Sequence, residues 1–495
     1  MAGRQSLSKK DAAPGASTSA ANSPLSRRAA TTLSRRAATT LSRRAALGGA
    51  AGVGTAAALS ACSGAGGGTT GGGGGGGDSK TINVIMVNNP QMVDLQKLTA
   101  DNFTKDTGIT VKYTVLPEND VRDKISQEFS SQAGQYDVAS ISNYEVPFYS
   151  KNDWLAPMDD FIKADSAFGQ DDILKPLATA LTGDDGKVYG EPFYGESSFL
   201  MYRKDVFEAN GITMPDKPTW DEVAGFAAQL DGKTPGMKGI ALRGQPGWGQ
   251  VFAPLTTVVN TFGGTWFDED WTAQVNAPEF VAATKFYVDL VTAHGESGAP
   301  QAGFTECLNG MTQSQVAMWY DATSAAGSLD ASGSPVAGKM GYVAAPVNQT
   351  DSSGWLYTWA WGIQKASKNQ ENAWKFVSWA SSKEYEELVG KQVGWASVPA
   401  GKRTSTYENA DYQKSAAPFY KATQDAINAA NPEDPGVQKR PAAGIQFVAI
   451  PEFADMATQV SQLVSSAIAG QMSVEDALDQ GQDLATKLVS DKYKK

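Results

Sequence analysis

Trp355, Tyr357 and Trp359 occupy alternate positions in the stretch WLYTW. On a strand this spacing puts three rings on one face, where they either fill a core or offer flat apolar surface to a ligand. Three separate carboxylates, Glu145, Glu196 and Asp321, could accept hydrogen bonds from hydroxyl groups. Two of them facing across a cleft could instead split a glycosidic bond.

Other chemistries are narrowed by what is scarce. The single His294 leaves little room for histidine catalysis or a histidine-rich metal site. Two cysteines, Cys62 and Cys307, cannot form a disulfide framework. The acidic runs Asp184-Asp185 and Asp268-Glu269-Asp270 lack calcium-loop spacing and read as solvated turns. A formal net charge of −11 argues against nucleic-acid binding through a basic surface. Neither a metal nor an organic cofactor is expected.

The elements that must position these groups begin after a distinct leader. Residues 1–61 hold nine of the 42 Lys/Arg but one of the 53 acids, and the unit LSRRAATT recurs at 25–32 and 33–40 and, as LSRRAALG, from 41. Nothing there can build a core. A basic segment, an uncharged Ala/Gly/Leu run and small residues form a cleavable export signal, with the Arg43-Arg44 pair resembling a twin-arginine motif. Leu59-Ser60-Ala61-Cys62 resembles a bacterial lipobox, which implies lipidation at Cys62. The Gly-rich stretch that follows, to residue 80, suits a flexible tether.

From residue 81 strand and helix patterns alternate: strands at 81–87, 109–116 and 136–141, with helices at 91–107 and 118–132 between them. More strands are expected at 197–202, 238–243, 316–320, 339–344 and 355–364. Thr219-Trp220-Asp221-Glu222 is a capping box opening a helix, and Ser473-Val474-Glu475-Asp476 opens the last one. This is more alternating α/β structure than one sheet holds, so two lobes with a ligand cleft between them are expected.

The body resembles the extracellular solute-binding proteins of bacterial ABC importers, of the maltodextrin-binding type and more narrowly the sorbitol/mannitol branch. The resemblance is carried in order by VNNPQM (87–92), YDVASISNYEVPFY (136–149), YGEPFYGESSFLMYRKDVF (189–207), LRGQPGWG (242–249), AMWYDAT (317–323), WLYTWAWGI (355–363), GWASVPAGKRTS (394–405) and GIQFVAIPEFADM (444–456). It implies a type II periplasmic-binding-protein-like fold, with lobe 1 from 81–194 and 365–402 and lobe 2 from 195–364 and 403–495. Hinge crossings would lie near 193–197, 361–366 and 400–406. It also implies no enzyme, a membrane permease as partner, a monomer, and a lipid-anchored position outside the cell membrane.

A polyol needs paired donors and acceptors for its hydroxyls and an apolar face for its C–H edges. Candidates from the first lobe are Asn88, Asn89, Tyr144, Glu145 and Glu196; from the second, Arg243, Trp248, Asp321, Trp355 and Trp359, with Arg403 and Gln446 behind them. At Gly354-Trp355-Leu356-Tyr357 the chain departs from the Asn-Trp-Leu-Trp usual in that branch, which bears on the identity of the ligand. A mono- or disaccharide is the alternative ligand, a tethered glycoside hydrolase or a receptor-linked sensor the distant alternatives.

Overall fold

The computed structural model describes residues 80–494. The expected export signal, Cys62 and the tether up to residue 79 lie outside the described residues.

Nine strands are present among the described residues: β1 (Thr81–Val87), β2 (Thr110–Leu116), β3 (Val138–Ser142), β4 (Glu191–Glu196), β5 (Ser198–Arg203), β6 (Lys238–Ala241), β7 (Val316–Ala322), β8 (Met340–Ala344) and β9 (Tyr357–Ile363). They form two sheets, ordered β2-β1-β3-β9-β4 and β6-β7-β5-β8. β1 pairs in parallel with β2 and β3, as alternating strand and helix patterns require, and β6 with β7. The pairs β3–β9, β4–β9, β5–β7 and β5–β8 are antiparallel. Each sheet is therefore mixed, with helices against it.

β4 is not legible as a strand because Pro192 and Gly195 interrupt it. It sits at the edge of its sheet, where a missing N–H is tolerated, and its ladder shifts register between Pro192 and Tyr194. Only Ser197 separates β4 from β5, so one crossing between sheets falls within the expected 193–197.

The other two crossings differ from expectation. β9 pairs along its length with β3 and β4, so the chain is back in the first sheet by Tyr357. The return precedes β9 and does not lie near 361–366; periodicity cannot reveal which sheet a strand joins. Near the third crossing, Arg403 donates to the carbonyls of Phe168, Gly169 and Ser381, and Thr406 Oγ1 to Glu386, so this segment stays with the first-sheet elements. The helix Tyr420–Ala429 packs on β5 and β8, which puts the crossing between Thr406 and Tyr420.

Gly195 and Gly401 meet backbone to backbone. Gly195 N donates to Ala400 O at 3.2 Å, and a Cβ on Gly401, whose φ is +84°, would stand 2.0 Å from Gly195 O. Among the described residues no helix is long and apolar enough to cross a membrane.

Candidate functional site

The strand ends and loops of the two sheets face one another across a pocket of about 460 Å³. Asn89, Glu118, Arg122, Glu196, Tyr357 and Trp359 line it from the first-sheet side. Arg243, Trp248, Phe304, Ser324, Trp355 and Gln446 line the other.

Arg122 is the centre of the first wall. It lies in the first turns of the helix Glu118–Ser131, directly after β2, and Pro117 sets the entry to that helix. Its Nη1 lies 3.0 Å from Glu145 Oε1, its Nη2 2.9 Å from Glu118 Oε1 and 2.5 Å from the Tyr357 hydroxyl. Its guanidinium carbon stands 4.2 Å from the Trp248 ring centre and 4.8 Å from that of Trp359. Burial alone would lower the Arg122 pKa, but Tyr357, Glu118 and Glu145 outweigh it and the cation is held charged.

Arg243 is the centre of the second. Its fork meets Asp321 twice, Nε to Oδ2 at 2.8 Å and Nη2 to Oδ1 at 2.5 Å, while Nη1 donates to Gly249 O at 2.9 Å. Burial again opposes the charge and Asp321 overrides it, so the pKa of Arg243 is raised. Glu196, at the end of β4, accepts from Ser324 Oγ at 2.5 Å. Burial pushes its carboxyl up to about 8, against the favourable pull of Ser324 and Arg243.

Among the described residues two buried polar side-chain atoms at the pocket have no hydrogen-bond partner, the donor Trp355 Nε1 and the acceptor Gln446 Oε1. An unpaired buried polar group costs about 1–3 kcal/mol, so these atoms mark where a polar ligand would engage. The lobes touch at the rim: Asn119 Nδ2 donates to Pro246 O at 3.0 Å and Gln250 Nε2 to Glu118 Oε2 at 3.2 Å.

Asn89, Glu196, Arg243, Trp248, Trp355, Trp359 and Gln446, all picked out by sequence, therefore border the pocket. Asn89 makes no capping bond to its helix; its Nδ2 donates to the Tyr194 hydroxyl at 2.7 Å. Trp355 precedes β9, yet it borders the same cavity as Tyr357 and Trp359.

The remaining five do not line it. Asn88 is exposed and continues the β1–β2 ladder through its N–H to Leu116 O. Tyr144 bridges the lobes from beneath, its hydroxyl donating to Ile450 O and accepting from Ala454 N. Glu145 is consumed by Arg122 and by Ser142. Asp321 is saturated by Arg243, Trp319 Nε1 and Ala322 N. Arg403 is clamped by Asp172 and three carbonyls of the first-sheet side. With Glu145 and Asp321 so engaged, no opposed pair of unengaged carboxylates is formed among Glu145, Glu196 and Asp321.

Glu118, Arg122, Ser324 and Phe304 are not picked out by sequence. A Glu–Arg pair four apart on a helix ordinarily lies on a solvated face. The available signal was position: both follow the C-terminal end of β2, as Asn89 follows β1, and that is where α/β sheets bind ligands.

Residues 89–387 match the family described as bacterial extracellular solute-binding protein. The chain is 39% identical to a mannitol-binding protein of Pseudomonas aeruginosa, over 81% of this chain and 91% of that one. It is 28% identical to an erythritol/L-threitol-binding protein of Mycolicibacterium smegmatis, over 61% and 67%. An ABC transporter solute-binding protein of Agrobacterium vitis, solved with bound D-mannitol, is similar at 45% identity and a TM-score of 0.80, covering 82% of this chain and 97% of that one. A second, from Agrobacterium radiobacter in complex with ribitol, is similar at 25% identity and a TM-score of 0.72, covering 82% and 98%.

Proposed function

The chain belongs to the bacterial extracellular solute-binding proteins, and from that premise we propose that it captures a linear polyol of the mannitol and sorbitol class and delivers it to an ABC permease. The observation that carries the ligand reading is the pair of unpartnered buried atoms, Trp355 Nε1 and Gln446 Oε1, in a pocket between the lobes. Around them stand the donors Arg122 and Arg243, the carboxyl of Glu196, and the faces of Trp248 and Trp359. Vicinal hydroxyls engage the guanidinium groups and the Glu196 carboxyl, and the C–H edge lies on the indoles. A ligand that touches both walls binds the closed form better and shifts the population toward it.

The protein is exported and acts as a binding protein, without turnover. Cys62 carries the lipid that holds it, as a monomer, to the outer face of the cell membrane, on the strength of the LSAC motif. A ring sugar is the second reading. It is favoured by Tyr357, which stands at the position of departure and uses Arg122 Nη2 for its own hydroxyl.

Calorimetric titration of a soluble form beginning at Asp78 tests this, with mannitol, sorbitol, arabitol, xylitol, glucose, fructose, maltose and trehalose. Saturable binding of a linear polyol alone supports the reading. Binding of a ring sugar alone keeps the importer assignment and removes the polyol.

A further inference from the structure

A second space of about 350 Å³, its opening to solvent included, adjoins the pocket at Ser324 and is bordered by Gln91, Tyr194, Tyr412, Phe419 and Thr423 among others. Ser324 borders both spaces. Three hydrogen bonds form the wall between them. Gln91 Nε2 donates to Ser324 O at 3.1 Å, Ser324 Oγ to Glu196 Oε2 at 2.5 Å, and Asn89 Nδ2 to Tyr194 Oη at 2.7 Å. The first two reach across the cleft, from first-sheet residues to the turn after β7.

The rear space has its own loose end. Thr423 is 6% exposed, and its Oγ1 has no hydrogen-bond partner among the described residues. The nearly buried rings of Tyr194, Tyr412 and Phe419 border the same space. An unpaired hydroxyl and aromatic rings lining one space are the groups that a second sugar unit would engage.

We propose that the Gln91–Ser324 tie is a length filter: it ends the ligand pocket after a single polyol, and the space behind it accepts a further glycosyl unit once the tie is opened. This inference rests on the polyol reading. Gln91 borders only the rear space, so removing its amide opens the wall and leaves the hexitol contacts in place.

The test is titration of the wild-type chain and the variants Gln91→Ala, Thr423→Val and their combination with mannitol, sorbitol, maltitol and lactitol. The wild type is expected to bind a hexitol and to take either disaccharide alcohol at least ~100-fold more weakly, a difference of about 2.7 kcal/mol. Gln91→Ala should keep hexitol affinity within about threefold and tighten a disaccharide alcohol by about tenfold or more. Thr423→Val should reverse part of that gain and leave hexitol binding unchanged, which a merely structural threonine would not do. Gln91→Ser serves as a second variant if the alanine form is unstable. The filter is overturned if a well-folded Gln91 variant gains nothing for either disaccharide alcohol, or if the wild type already binds one as tightly as a hexitol. Failure of every hexitol on the wild type overturns the polyol reading itself, and the filter with it.

Discussion

Arg243 and Asp321 face each other fork to fork, with both carboxylate oxygens engaged and Asp321 fully buried. The carboxylate supports the guanidinium from behind and presents no free oxygen to the cleft. Asp321→Ala leaves a buried cation unpaired, so it should cost about 3–5 kcal/mol of stability and abolish measurable ligand binding. Urea unfolding checks this. A loss below about 1 kcal/mol would show that Arg243 finds another partner.

Burial raises two carboxyls, Glu196 at the pocket and Glu191 in the same strand, each to about 8 from 4.5. Between those values the folded chain holds protons that the unfolded chain has lost. Stability therefore falls as pH rises from about 4.5 to about 8 and levels off above. Glu196→Gln and Glu191→Gln should each flatten the profile by one proton, about 1.4 kcal/mol per pH unit. Unfolding midpoints across pH 5 to 9 measure it; an unchanged slope in either variant would remove that residue from the account.

Closure brings Gly249 against the Glu118 helix. A Cβ there would lie 2.5 Å from Glu118 Oε1, an atom already held by Arg122, while Gln250 of the same loop holds Glu118 Oε2. Gly249→Ala should weaken ligand binding by about tenfold through the closed state, and leave the melting temperature of the free protein within about 2 °C. Equal losses in both would mean that the glycine serves the second lobe alone.

Trp355→Phe keeps an aromatic face, removes the unpartnered indole N–H and leaves a small cavity, because Trp355 is buried. The lost hydrogen bond should cost affinity by about 2- to 10-fold, or roughly 0.5–1.5 kcal/mol, and the cavity should lower stability by about 1 kcal/mol. Calorimetry that finds unchanged affinity would place the ligand elsewhere along the cleft.

Much of this was legible in the sequence, and the failures share a cause. Strand and helix positions follow from local periodicity, so β1, β2 and the capping box at Thr219 fall where expected. Partners across space do not follow from it. β9 joins the first sheet although its sequence neighbours β8 and the loop before it belong with the second. Asp321 and Glu145 look like ligand acceptors in isolation, and only the placement of Arg243 and Arg122 shows that both are spent. Arg122 in turn is hidden in sequence, because a Glu–Arg pair on a helix looks the same whether it faces solvent or a cleft.

Cys62 lies outside the described residues, and its role is open to a direct check. Cys62→Ser should move the protein from the membrane fraction to the medium, and mass spectrometry of the native form should show a diacylglycerol on the new N-terminus. An unlipidated native chain starting elsewhere would remove the anchor.

The three indoles at the cleft have a further consequence. Trp248 comes from one side and Trp359 from the other, with Arg122 stacked between them, and Trp355 stands at the same cavity. Indole emission depends on local polarity and on neighbouring charge. All three rings are buried in the conformation described, and a separation of the two walls would take Trp248 from the cation and wet them. The chain thus carries its own optical indicator, and its occupancy can be followed by colour and intensity without a dye.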